Sequence, residues 1–417
     1  MNTGGRTMKS IYIPWTLAQY LNGAHPLLVS VLDGLAGQVR IVGPQVNATV
    51  DHTEFAANYG RLGDELRVLT GVDGDTVQRF IATRYHLSDA LAPPNSIAFH
   101  HTILPSLRHS SIVHLETPIL FFWPEVSHGK FSRGSSLVDH PFYPMISASL
   151  AHSNIKKIVS HSATGLRYLR GLFPDPAIQG KTAHIPLMPF VQRSVKRARQ
   201  LPGGQPVPLT TGRRRLLFTN SFHGEPSSFW VRGGVTTLLA FQQVGEEIPL
   251  ELVIVGSIPD DLTEEVADIL RSPYVLHVPR TAESELQAYY DSADVMLLPS
   301  VGLHSMSITR AICSGCYVLC SDVPGVEEYV TDQAVGLILN GTAGKRVYFD
   351  DTKVDLLLDD YESVKQINFD NVNTVAEALY GRLMAVPCRN QIPSASQYDD
   401  PHMLMRAAEL FRAACAA

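Results

Sequence analysis

Short apolar, β-branched runs alternate with helical segments along most of the chain, and they do so in two separate series. The first opens with "SIYIPW", a loop "TLAQYLNGA" holding Gly23, the helical stretch "HPLLVSVLDGLA" and a second strand run "QVRIVGP", together a βαβ unit. "NSIAFHHT", "SSIVHLET" and "IKKIVSHS" continue it, each bounded by turn residues or helical segments, which is the rhythm of a parallel sheet covered on both faces. The second series runs "RRLLFTNS", "GGVTTLLAFQQV", "LELVIVGS", "LTEEVADILRS", "YVLHVP", "SELQAYYDSA", "DVMLLPS", "MSITRAICSG", "CYVLCSD", alternating strand and helix throughout. Right-handed crossovers make each series a doubly wound sheet whose ligand lies beyond the carboxyl ends of its strands. Two such domains on a hinge are expected to enclose a cleft faced by both sets of strand ends.

The 417 residues exceed what one hydrophobic core usually organises. The expected division is a first Rossmann-like domain over residues 8–191, a linker over 192–212 and a second Rossmann-like domain over 213–399. The final helix, 400–417, is expected to pack back on the first domain. The linker rests on "QRSVKRARQLPGGQPVPLTTG", rich in Pro, Gly and basic residues and read as having no apolar period. Its Arg193, Lys196, Arg197 and Arg199 would be the contacts of a peripheral attachment to an anionic membrane face; a solvated hinge is the plainer reading.

Hydrophobic residues make up 45% of the chain and charged residues 18%, so apolar material is ample and no disorder signature exists. A formal net charge of -6 argues against an extended nucleic-acid surface, because phosphate binding needs clustered Lys and Arg. No apolar run approaches a membrane span, and "MNTGGRTMKS" lacks the apolar core of a signal peptide, so a cytoplasmic protein is expected. Cys313, Cys316, Cys320, Cys388 and Cys415 form an odd set that fits reduced, mostly buried thiols. The pairs Asp260 with Asp261, Asp350 with Asp351, Asp359 with Asp360 and Asp399 with Asp400 have no ordered third ligand, so no catalytic metal and no cofactor are expected.

The most specific stretch is "YYDSADVMLLPSVGLHSMSITRAICSGCYVLCSDVPGVEEYV", accompanied by "LLFTNSFHGEPSSFWVRGGVTTLLAF". Together they resemble the retaining glycosyltransferases of family 4, whose fold is GT-B, over roughly residues 215–339. The first domain resembles that family mainly in layout. The resemblance implies an α/β GT-B protein, two doubly wound Rossmann-like domains facing a central cleft. It implies a hexosyltransferase moving a sugar from a nucleotide-diphosphate sugar to a polysaccharide, glycolipid or other glycan acceptor without a metal.

Residue chemistry supports a diphosphate site at "GLHSMS", where a strand end meets a helix start and backbone N–H groups converge with the helix dipole. His304, Ser305, Met306 and Ser307 are the candidate donor contacts there, against the plainer reading of an N-cap and a packed loop. The resemblance places the family's phosphate-binding lysine at Arg232, a guanidinium able to grip phosphate bidentately, and its arginine at or near Ser221. Gly233 permits close backbone approach beside it. The family's two motif carboxylates fall on Gly302 and Arg310, and a guanidinium cannot accept from ribose hydroxyls. Arg310 is instead expected on a phosphate oxygen or a nearby acid.

Glu327 and Glu328 offer carboxylates elsewhere, or serve as helix-start acids. In the first domain, the strand ends "FHHTILPSL" and "IVHLETP" nominate His114 and Glu116 as catalytic groups, with hydrogen-bonded core histidines as the alternative for His100, His101 and His114. Loss of both motif acids supports a different class, a catalytically silent GT-B partner or scaffold subunit. An epimerase on the same fold would call for more acids at the cleft.

Overall fold

The computed structural model describes residues 10–13, 40–42, 52–84, 92–93, 95–101, 104–122, 125, 136–203, 212–220, 227–279, 281–342 and 361–385, with 405, 406, 409 and 413 near the C-terminus. The helical stretch expected around 25–36, Ser221, His223 and most of the expected final helix lie outside these residues.

Two six-stranded sheets, parallel throughout, carry the fold. The first is ordered β2-β1-β3-β4-β5-β6 and consists of β1 (Ser10–Tyr12), β2 (Arg40–Val42), β3 (Ser96–His101), β4 (Ser111–Leu115), β5 (Ile155–Ser160) and β6 (Thr182–His184). The second is ordered β12-β11-β10-β7-β8-β9. It contains β7 (Arg214–Thr219), β8 (Leu250–Val255), β9 (Val275–Val278), β10 (Val295–Leu298), β11 (Tyr317–Ser321) and β12 (Gly336–Leu339). β8 and β10 are buried along their whole length, which is why they read as unbroken apolar runs instead of alternating ones. Helices fill the crossovers, among them Ala163–Leu172 after β5 and Ser305–Ser314 after β10.

Each sheet has its own apolar cluster. A third joins the two, uniting Ile11, Phe99 and Val159 with Leu217, Met296 and Ile308, and including Phe190, Val191 and Val195. Those last three lie on a helix, Met188–Ala198, whose first half belongs to the expected first domain and whose second half belongs to the expected linker. The segment read as lacking an apolar period from Gln192 is therefore helical as far as Ala198. Pro189, Phe190, Val191, Gln192, Val195 and Ala198 are buried at helical spacing against the helices Ser305–Ser314 and Glu283–Ser292. Dense Arg and Lys on the opposite face concealed that period: Arg193, Lys196, Arg197 and Arg199 are exposed, and Arg199 grips Asp291 at 2.9 and 2.5 Å.

A cross-strand charge pair anchors the second sheet. Arg215 on β7 stands in register with Glu251 on β8, its Nε donating to Glu251 Oε1 at 2.6 Å and its Nη1 to Ser292 Oγ at 2.8 Å. Both side chains are buried, 3% and 10% exposed, so removing one partner strands the other charge in the core. Glu251→Ala is expected to cost about 3–5 kcal/mol in urea unfolding. The double replacement Arg215→Met with Glu251→Leu should recover most of that loss.

Candidate active site

The carboxyl ends of β4 and β5 in the first sheet come together with those of β7 and β10 in the second, and the expected donor loop lies there. Loop 299–304 is short and tightly closed: Ser300 Oγ donates to Gly302 O at 2.6 Å and accepts from Gly302 N at 3.0 Å. The helix after it has His304 at the N-cap position without a side-chain cap, starts at Ser305 and stops at Gly315, which adopts φ 82°. Ser305 is fully buried, and Met306 is half-buried against the apolar cluster between the sheets.

Arg232 reaches the first turn of that helix. Gly233 makes this possible, because it holds φ 77° and a Cβ there would stand 2.2 Å from the Pro299 carbonyl oxygen. Val301 N–H donates to Val231 O at 2.9 Å and Ser300 Oγ lies 3.1 Å from the same oxygen, which ties the loop to the turn carrying Arg232. The guanidinium Nη1 donates to Thr219 O at 3.1 Å and to Ser307 Oγ at 3.3 Å. Its buried Nε has no hydrogen-bond partner, and among the described residues no carboxylate pairs with it. Burial pulls its pKa down to about 10. Thr219 and Tyr290, missed in the sequence, complete this wall: Thr219 Oγ1 lies 3.4 Å from both Tyr290 OH and Ser307 Oγ.

Glu116 meets the same helix from the first domain. Its carboxylate accepts from Ser305 N–H at 3.3 Å and from Ser305 Oγ, so it caps the helix that the sequence assigned to phosphate. His161, one residue beyond β5, places Nε2 at 3.0 Å from Ser305 Oγ and 3.5 Å from Glu116 Oε1. Burial opposes ionisation of Glu116, but hydrogen bonds from His161 and Ser305 and the charge His161 can carry outweigh it and hold the carboxyl below its usual range. His114 joins from β4, its Nε2 at 2.9 Å from His161 Nδ1, and His101 lies beyond it with its Nδ1 at 2.6 Å from His114 Nδ1. Strand register makes this row: His101 pairs with His114, and Leu115 pairs with Ser160, the residue before His161. The signal for His161 was available in "IVSHS", a polar group at the end of an apolar strand.

A mirror-image contact runs the other way. Glu328 in the second domain accepts from Ala163 N–H and Thr164 N–H, both at 2.7 Å, and from Ser162 Oγ at 3.3 Å, capping the helix Ala163–Leu172 of the first. Tyr329 OH donates to His161 O at 3.2 Å beside it. Gly165 lets that helix sit on the Glu116 backbone, since a Cβ at 165 would stand 2.0 Å from Glu116 O.

The remaining expected contacts divide. Arg310 is committed to protein, its Nη2 donating to Glu283 Oε1 at 2.5 Å and its Nε to Gln287 Oε1 at 2.9 Å. In this arrangement the acid beside it is Glu283. Asp261 accepts from Trp230 Nε1 at 3.1 Å and pairs with Lys365 at 2.9 Å, which is a structural use of that carboxylate. Cys316 and Cys320 are buried thiols and Cys313 is half-buried; burial pushes Cys313 and Cys320 up to about 12. Among the described residues no helix is long and apolar enough to cross a membrane.

Two parallel doubly wound sheets with this site between them define the GT-B glycosyltransferase fold, and solved structures carry the same architecture. One is an α,α-trehalose-phosphate synthase (UDP-forming) from Burkholderia vietnamiensis, 12% identical, covering 98% of this chain and 99% of its own with a TM-score of 0.52. Another is the UDP-forming α,α-trehalose-phosphate synthase from Burkholderia xenovorans, 12% identical, with coverage of 98% and 99% and a TM-score of 0.51. Residues 218–347 match the family described as "Glycosyl transferases group 1". No curated protein sequence matches the chain.

The two domains are thus joined by carboxylates exchanged between helix starts. Glu328→Gln should lower stability by about 1 kcal/mol in thermal or urea melts, because the neutral amide accepts the two N–H bonds less strongly and loses the charge–dipole contribution. Glu327→Gln, at an exposed neighbour, should change nothing measurable.

Proposed function

We propose that this protein is a retaining, family 4-like glycosyltransferase that moves a hexose-type sugar from a nucleotide-diphosphate donor to a glycan, polysaccharide or glycolipid acceptor. The observation that carries the reading is Arg232: a buried cation with an unused donor beside the opening turn of the helix Ser305–Ser314. A buried charge of this kind calls for an anion, and a helix N-terminus is the natural complement for one. A diphosphate laid there would meet Ser305 N–H, Ser307 Oγ and the guanidinium fork, with its charge balanced without a metal ion.

The chemistry then follows from where charge develops. As the bond from the anomeric carbon to the leaving phosphate oxygen lengthens, negative charge builds on the diphosphate, where Arg232 and the helix dipole are already oriented. The acceptor attacks from the same face, and its proton passes to that leaving oxygen. Glu116 and His161 border this space and are placed to stabilise the positive character on the sugar ring. Donor and acceptor would be met in the cytoplasm, with the exposed Arg193, Lys196 and Arg197 on the helix Met188–Ala198 as the contact to an anionic inner membrane face.

A second reading is favoured by a specific observation: the position of the ribose-binding acid holds Arg310, and that arginine is bound to Glu283 and Gln287. On that reading the protein is a catalytically silent partner or scaffold subunit. Thermal shift with UDP-glucose, GDP-mannose, ADP-glucose and the free nucleoside diphosphates separates the two. A stabilisation of several degrees by at least one donor, abolished in Arg232→Ala and partly retained in Arg232→Lys, is expected, together with slow donor hydrolysis. No response to any of them would leave the scaffold reading standing.

A further inference from the structure

We propose that Glu283 is the carboxylate that reads the ribose of the nucleotide donor, accepting from the ribose hydroxyls at Oε2 while Arg310 holds Oε1. This rests on the diphosphate reading of the helix Ser305–Ser314, because the phosphates place the ribose attached to them.

The two oxygens of this carboxylate differ. Oε1 accepts from Arg310 Nη2 at 2.5 Å, whereas Oε2 is buried and, among the described residues, has no hydrogen-bond partner. A buried carboxylate oxygen left without a donor is costly, and the protein supplies none here. Burial accordingly raises the pKa of Glu283, against the pull of Arg310. An ionised carboxylate only accepts, so a hydroxyl or N–H group completes it. Arg232 Nε is the matching case on the donor side, buried and unfilled in the same domain. A nucleotide carries an anion for the one and hydroxyls for the other.

A continuous row of polar groups leads from Arg232 to Glu283. Arg232 Nη1 lies 3.3 Å from Ser307 Oγ, Ser307 Oγ lies 3.4 Å from Thr219 Oγ1, and Thr219 Oγ1 lies 3.4 Å from Tyr290 OH. Arg310 Cζ then stands 5.4 Å from the centre of the Tyr290 ring, and its Nη2 ends on Glu283. Chain direction agrees with this. Glu283 opens the helix after β9 and Ser305 the helix after β10, so both helix starts lie at the carboxyl edge of one parallel sheet. Arg310 sits further along its helix, but helical side chains lean towards the N-terminus and carry the guanidinium back to that edge. In a nucleotide the hydrogen-bond donors nearest the diphosphate are the ribose hydroxyls. An acid on those hydroxyls beside a pyrophosphate seated on a helix start is a recurrent pairing in doubly wound sheets.

Arg310 makes the acid compatible with its neighbour. A lone carboxylate beside a diphosphate would repel it, whereas the pair of Glu283 and Arg310 adds no net charge and still offers an acceptor. Gln287 steadies the guanidinium, accepting from Arg310 Nε at 2.9 Å while its own amide donates to Ser314 Oγ at 2.7 Å and to Asp291 Oδ1 at 2.9 Å. The pairing that favours a catalytically silent subunit thus leaves one acceptor unfilled.

Isothermal titration calorimetry of the full chain with UDP, GDP and ADP, each beside its 2′-deoxy and 2′,3′-dideoxy forms, tests the assignment. For the base that binds, the wild type should favour the ribose form over the dideoxy form about tenfold or more, since losing the hydroxyls leaves Oε2 unfilled. Glu283→Gln, a weaker neutral acceptor, should cut that preference to a few-fold. Because this variant strands the charge of Arg310, Glu283→Met combined with Arg310→Met provides a neutral, apolar pair that folds, and it should bind both forms within about twofold of each other. Equal binding of ribose and dideoxy forms by the wild type would overturn the assignment while leaving the diphosphate site intact, as would variants that weaken both forms alike. Absence of binding of every form to the wild type would remove the diphosphate site and the ribose contact together.

Discussion

The interaction on which the arrangement depends is the exchange of carboxylates between two helix starts. Glu116 leaves the first sheet to cap the helix Ser305–Ser314, and Glu328 leaves the second to cap the helix Ala163–Leu172. Each bond is a charged acceptor at the positive end of a helix, among the stronger polar contacts a partly wet cleft can hold. Each also relies on a glycine to bring the backbone close enough: Gly165 beneath Glu116, and Gly325, whose φ of 87° starts the turn carrying Glu328. These polar contacts fix the cleft in one geometry. An apolar seam runs alongside them through Phe190 and Val195 and supplies the permanent connection.

Much of the fold was legible in the sequence, and the reason is physical. Parallel strands buried on both faces must be continuously apolar, so "LELVIVGS" and "DVMLLPS" announce themselves with little ambiguity. The loop between β10 and the helix Ser305–Ser314 was legible for a related reason, since a strand end followed directly by a helix start leaves few ways for the chain to turn. The helix Met188–Ala198 was lost because its buried face includes Gln192 and Ala198 and its other face is crowded with Arg and Lys, so composition argued for a linker where spacing argued for a helix.

Long-range polar pairing was not legible. Nothing local says that Glu116 will meet Ser305, 189 residues away, or that Glu328 will meet Ala163. The row of histidines depends on the register between β3, β4 and β5, which only the folded sheet sets; "FHHT", "VHLE" and "SHSA" each look like an ordinary strand end. Arg310 could be named but not placed. Its partner Glu283 opens the preceding helix, and the pair closes a buried ion bridge that keeps the guanidinium from needing any ligand.

Arg232 and Arg310 together show how charge is distributed across the second domain. Both are buried arginines near Tyr290, yet Arg310 has a carboxylate at 2.5 Å and Arg232 has none among the described residues. A folded chain tolerates an unpaired buried cation only where something compensates, because desolvation costs several kcal/mol per ion. Tyr290 and, from across the cleft, Glu116 both favour its charge. Glu116 satisfies the helix start and lends its field to the guanidinium. One carboxylate from the first domain therefore serves two groups of the second, the opening turn of the helix Ser305–Ser314 and the buried guanidinium.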